Sequence, residues 1–227
     1  MAAVISFISQ KGGVGKSTLA RALAAVAAHV GIEVFVVDLD VQQQSILRWG
    51  DIRVGQDGIP GLAMAAHTSI DEALDADHDC ELLIVDAPGQ SNAATLRIAD
   101  RSHVVIAPTG PSLDDLYPTV LLLHELTAAN IPSERVAVAL CRTLSKSEED
   151  EARNYISKAG YEVLAGSLPE RAAYRSAQNL GRAVSETKDL DQRVDTLIES
   201  MLQKVMREVT RAKIARNRAP SKKGLRP

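Results

Sequence analysis

Residues 10–18, Gln-Lys-Gly-Gly-Val-Gly-Lys-Ser-Thr, carry the residue types needed to grip a polyphosphate. Gly12, Gly13 and Gly15 free the backbone to turn successive N–H groups inward on an anion. Lys16 can then reach the terminal phosphates, and the Ser17 hydroxyl can sit on Mg²⁺. The whole run, Lys11, Gly12, Gly13, Val14, Gly15, Lys16, Ser17 and Thr18, is therefore a candidate binding segment. Two carboxylate pieces complete the chemistry. Asp38-Leu39-Asp40 ends one apolar run, and Asp86 ends another, Leu82-Leu83-Ile84-Val85, before the turn Ala87-Pro88-Gly89. A carboxylate at the C-terminal end of a parallel strand points into the crevice where such folds bind ligands. Asp86 is placed to hold Mg²⁺ beside Ser17. Asp38 and Asp40 either face the ligand or cap the helix that follows.

These groups need strands to carry them and helices to back them. Residues 4–8 form a short apolar run before the glycine loop, and residues 19–30, rich in Ala and Leu, open as a helix after it, so the anion would also meet a helix N-terminus. Residues 33–38 read as a second strand, 42–54 as a helix, 55–61 as a loop and 62–66 as a short strand. Strands follow at 82–86, 104–107, 136–140 and near 162–164, with helices at 93–99, 148–159 and one running to residue 129 that Ser112 or Asp114 would cap. From 189 to 214, Leu190, Val194, Leu197, Ile198, Met201, Leu202, Val205 and Val209 recur at helical spacing, with Met201 and Met206 expected in the core. Strands buried on both faces and alternating with helices predict an α/β fold with a mostly parallel twisted sheet and helices on both sides, and the glycine loop between the first strand and helix makes it a P-loop NTPase. The expected domain spans 1–211, with a basic flexible tail at 212–227.

Composition agrees. The 227 residues suit one α/β domain, and 45% hydrophobic with only 3% aromatic residues means a core of Ala, Val, Leu and Ile and little base stacking. Cys80 and Cys141 are far apart, which argues against a disulfide framework or a cysteine metal site. His67 and His78 read as surface histidines. No run approaches a membrane span or a signal peptide, so a cytoplasmic location and no membrane partner are expected. The net charge of −3 hides an asymmetry: from residue 204 onward nine basic residues face only Glu208, leaving −11 on the rest. A basic end on an acidic body suggests an anionic partner.

Lys-Gly-Gly-Val-Gly-Lys-Ser-Thr, with Gln10 where the usual loop has its first Gly, resembles the deviant Walker A box of the ParA/MinD family of ATPases. Val37-Asp38-Leu39-Asp40-Val41-Gln42 is similar to that family's D-x-D-P-Q box with Val41 in place of Pro, and 82–89 resembles its Walker B strand. Pro108-Thr-Gly-Pro-Ser-Leu-Asp and Arg171-x-x-Tyr174-x-x-Ala177 resemble segments of ParA-type proteins. The resemblance implies ATP and Mg²⁺ as cofactors, with Ser17 and Asp86 on the metal. It implies a catalytic set of Lys11, Lys16 and Asp40, in which Asp40 positions the attacking water and Lys11 reaches the nucleotide of a partner subunit in an ATP-bound homodimer. Pro169, with Arg142, would lie beside the adenine. The guanine-reading N-K-x-D is absent from the chain, which favours ATP over GTP. The implied function is a nucleoid-associated ATPase that partitions plasmid or chromosomal DNA, binding DNA without sequence preference and stimulated by a centromere-binding, ParB-like protein. DNA contacts are assigned to Lys204, Arg207, Arg211, Lys213, Arg216, Arg218, Lys222 and Lys223. Three other readings stay open: a MinD-like regulator, which a tail with only Ile214 and Leu225 as bulky apolar residues argues against, a conjugation or DNA-transfer accessory ATPase, and an ATP-dependent ligase of the dethiobiotin or cobyrinate synthetase type.

Overall fold

Three strands apolar on both faces form the middle of the sheet: β1 (Ala3–Phe7), β4 (Leu82–Asp86) and β5 (Val104–Thr109), every residue of which is buried. The computed structural model describes residues 2–76, 78–89 and 93–218, without the side chains of 212 and 215–218. Around these strands lie β2 (Val34–Asp38), β3 (Ala63–Ala66), β6 (Val136–Thr143) and β7 (Leu168–Pro169), in the order β3-β2-β4-β1-β5-β6-β7. Every pairing is parallel, as expected for strands linked through helices.

The helices are α1 (Lys16–His29), α2 (Ser45–Arg53), α3 (Ile70–Asp75), α4 (Ala93–Arg101), α5 (Leu113–Ala128), α6 (Lys146–Lys158), α7 (Ala172–Asn179) and α8 (Gln192–Arg218). Alternation along the strands splits the core in two. Ile5, Phe7, Ile84 and Ile106 pack with Leu19 and Leu23 of α1 and with Val194, Leu197, Met201 and Val205 of α8. Val4, Leu83, Val85 and Val105 pack on the other side with Ile70 of α3, Ile98 of α4, Leu122 of α5 and Ile156 of α6. The doubly covered sheet expected from the sequence is thus present.

Several local expectations change. Residues 162–164 do not form a strand: Val163 makes one bridge to Val138, and Gly166, at φ +76°, then turns the chain beneath α8, so the edge strand is β7. Helix α8 continues through residues 212–218, because the first helix breaker after its apolar stripe is Pro220; residues 219–227 lie outside the described part of the chain. Met201 is buried as expected, but Met206 is 39% exposed. His67 and His78 are half-buried: their rings meet edge-on, and His78 stacks on Phe35 at 3.8 Å.

Candidate functional site

The glycine loop spans from β1 to α1, and its conformation depends on glycine at two places. Gly13 has φ +73° and Gly15, the cap of α1, has φ +112°, both in the left-handed region. Gly15 is also tight, since a Cβ there would lie 3.0 Å from Cys141 Sγ. The loop therefore rests on the end of β6. Val14 turns its side chain into the core at 2% exposure, so only its backbone can face a ligand.

Parallel register brings the acidic groups level. Phe7 pairs with Asp86 and Asp86 with Asp38, so the glycine loop and both carboxylates leave the sheet at one height. Together with α7 and β7 they enclose a cleft of about 360 Å³. Gly12, Gly13, Gly15, Lys16, Ser17, Thr18, Asp40, Asp86, Arg142 and Pro169, all singled out from the sequence, line it.

Lys16 is buried, and burial draws its pKa below the ordinary lysine value while Asp86 and Asp40 pull the other way. Asp86 is 2% exposed, and burial pushes its pKa up to about 7 against its hydrogen bond from Ser17. Its Oδ1 is buried without a hydrogen-bond partner among the described residues. An orphaned carboxylate oxygen next to a hydroxyl, in a cleft also lined by the glycine loop and Lys16, fits a polyphosphate carrying a hard divalent cation. Ser17 Oγ also accepts from Ser45 Oγ at 3.1 Å, which ties the loop to α2.

Asp38 and Asp40 divide the two roles left open above. Asp38 is fully buried and accepts from the Asp40 and Ile46 N–H groups, each at 2.9 Å, so it fixes the 38–46 turn. Burial raises its pKa despite those bonds. Asp40 stays in the cleft and accepts from the Gln43 N–H at 3.0 Å.

Lys11 does not line the cleft. Its Nζ donates to Asp115 Oδ1 at 2.5 Å and to the Asp114 carbonyl at 3.4 Å. Pro118, inside α5, has no N–H to give that carbonyl, so the lysine takes the place of the missing helical donor. Sequence reasoning did not find Asp115, because the contact joins residues 104 apart. It also missed Glu170, Arg175 and Gln178 as cleft residues. The Arg171-x-x-Tyr174-x-x-Ala177 pattern marked that segment without saying which side faced the ligand.

Of the basic residues assigned to DNA, those with described side chains, Lys204, Arg207, Arg211 and Lys213, lie elsewhere, and three of them are ion-paired. Lys204 pairs with Glu162 at 2.8 Å, Arg211 with Glu208 at 2.5 Å, and Lys213 with Glu81 at 2.6 Å. Glu81 precedes β4, so this patch sits at the end of the sheet opposite the cleft. The side chains of Arg216 and Arg218, and all of Lys222 and Lys223, fall outside the described residues.

The sequence matches the CobQ/CobB/MinD/ParA nucleotide binding domain over residues 5–184. It is 25% identical over 204 residues to Protein ParA of Rhizobium radiobacter, covering 87% of this chain and 91% of that one. The fold is similar to that of a ParA family ATPase from Chlorobium tepidum, with a TM-score of 0.66 and 18% identity over 89% of this chain and 99% of that one. It is also similar to MinD of Pyrococcus horikoshii complexed with Mg-ADP, with a TM-score of 0.62 and 19% identity over 97% and 100%. A match covering the glycine loop, both carboxylate strands and the cleft wall means that the chain belongs to the CobQ/CobB/MinD/ParA family of nucleotide-binding domains.

Proposed function

We propose that this protein is an ATP-hydrolysing switch for DNA partition, in which two copies close face to face on two ATP molecules. The position of Lys11 carries the reading. It sits on the rim outside its own cleft, on a side chain 46% exposed, where a second subunit's nucleotide could receive it. Similarity to a curated ParA supports partition as the task, with a nucleoid setting and a ParB-like stimulating protein.

The geometry supports a role for each residue. Backbone N–H groups of 12–17 cradle the phosphates, and Lys16 balances their charge from within. Ser17 and Asp86 would hold Mg²⁺, which when bound neutralises phosphate oxygens. Asp40 orients the attacking water, held in place through its backbone by Asp38. Arg142, at φ +59°, and Pro169 form the wall against which the adenine rests.

The test is ATP turnover together with subunit mass, for the wild type and Asp40→Ala. The wild type is expected to dimerise transiently in ATP, and Asp40→Ala to stay dimeric with turnover lowered about 100-fold. Monomers throughout would overturn the switch, and transfer of phosphate to a small carboxylate would instead establish a ligase.

A further inference from the structure

Beside the nucleotide cleft lies a second cavity of about 410 Å³ between α1, α2 and α7. Arg21, Arg48 and Arg175 line it, and the described lining contains no carboxylate. Arg21 is the fixed charge at its base. It donates to Gln178 Oε1 at 2.8 Å and to the Ser45 carbonyl at 2.6 Å, and its Nε–H is buried without a partner among the described residues. Its guanidinium lies 5.3 Å from the Trp49 ring centroid, which forms an apolar floor. Arg48 and Arg175 stand exposed on the rim, the latter touching Glu170.

Two cavities here share a wall: Ser45, Arg175 and Gln178 line both. Ser45 bonds Ser17, and Gln178 accepts from Thr18 at 3.4 Å, so the residues that would close on phosphates also set the width of the arginine groove. The ion-paired cations of α8 have no such link to the cleft.

We infer that this groove takes the phosphate backbone of a nucleic acid, and that its occupancy is coupled to the nucleotide through the shared wall. The inference rests on the DNA-binding part of the function proposed above, and moves the principal contact from α8 to the α2–α7 rim. Guanidinium groups match phosphate oxygens in pairs, and with Trp49 only 3% exposed no base can stack there, so binding is independent of sequence.

The experiment is fluorescence anisotropy of the full chain on a short mixed-sequence duplex, with ATP, across a salt series. Arg48 lines the groove and not the cleft, and it meets the cleft residue Gln43 only at its exposed backbone carbonyl, so Arg48→Ala should bind duplex about tenfold more weakly while keeping wild-type ATP affinity. The slope of log affinity against log salt should fall by about 0.9. Arg207→Ala/Arg211→Ala should retain most of the affinity. If Arg48→Ala matches the wild type while the α8 variant loses binding, the groove is wrong and the DNA reading stands. If the wild type binds no duplex in any nucleotide state, the DNA reading falls and the groove with it. Displacement of duplex by inorganic phosphate at constant ionic strength would assign the groove to free phosphate instead.

Discussion

Lys11 is held by Asp115, Nζ to Oδ1 at 2.5 Å, although the two residues lie 104 positions apart in the chain. Asp115 is only 8% exposed; burial pushes its carboxyl up, but Lys11 and Ser112 hold it below the ordinary aspartate value. If Lys11 must cross to a second subunit, this pair opposes closure. Asp115→Asn should therefore favour the dimer at limiting ATP, by about thirtyfold in the association constant for two pairs, one in each subunit, worth about 1 kcal/mol apiece. Sedimentation measures it, and the gain should vanish in Lys11→Ala/Asp115→Asn. An unchanged monomer–dimer balance would show that the pair does not oppose association.

Lys16→Ala removes the buried ammonium that faces Asp86 and Asp40. ATP affinity by calorimetry should drop at least about tenfold, the loss of one strong charged hydrogen bond. Retained affinity would remove the glycine loop from its assigned role.

Gly15→Ala combines two separable costs. The left-handed backbone costs a non-glycine residue about 1–2 kcal/mol, and contact with Cys141 Sγ at 3.0 Å adds crowding. Thermal unfolding should show a clear destabilisation that Gly15→Ala/Cys141→Ala only partly relieves. Complete recovery would mean that crowding alone was responsible.

Away from the cleft, Arg53 and Glu186 form a buried bidentate pair at 2.7 and 2.8 Å that joins α2 to the segment before α8. Glu186→Gln should cost about 3 kcal/mol, because it leaves a buried guanidinium unpaired. Burial opposes the Glu186 charge, but bonds from Arg53 and the Ala183 N–H keep its pKa below the ordinary glutamate value. A depressed pKa contributes stability that is full above the unfolded value, roughly 4.3, and is lost as pH falls through the folded one. Arg53, at 2.7 Å, and His29, at 3.4 Å, are the basic groups facing Glu186. Melting curves from pH 7 to 3 should show a smaller loss below about pH 4.3 in the Gln variant than in the wild type, because Asp115 and Asp191, also held below the ordinary aspartate value, still titrate in both.

What the sequence made legible was whatever one segment decides by itself. The glycine loop, the apolar runs ending in Asp40 and Asp86, and the stripe of α8 are local patterns, and each is present where expected. What it hid was assembled from distant pieces. Gln178 meets Thr18 across 160 residues, and no spacing rule reports that. β7 has two residues, too few to show a period, and is held by its pairing to β6. The charge of the C-terminal helix was countable, but that Glu162 and Glu81 would absorb part of it depended on packing.

The level alignment of Phe7, Asp38 and Asp86 has a consequence for how faithfully the chain must fold. Leu82 to Val85 are apolar on both faces, so burial alone would tolerate sliding β4 along its neighbours. A slip of two residues keeps every side chain on its face yet carries Asp86 about 6.6 Å along the strand. The core would scarcely register the error, whereas the cleft would lose its carboxylate. Alignment must then be enforced at the strand ends, where the Glu81 carbonyl accepts from the Ala3 N–H at 2.9 Å and the Phe7 carbonyl accepts from the Ala87 N–H at 3.1 Å. Those end bonds act as stops on a sliding rule, and a chain that missed them could be stable, compact and inert.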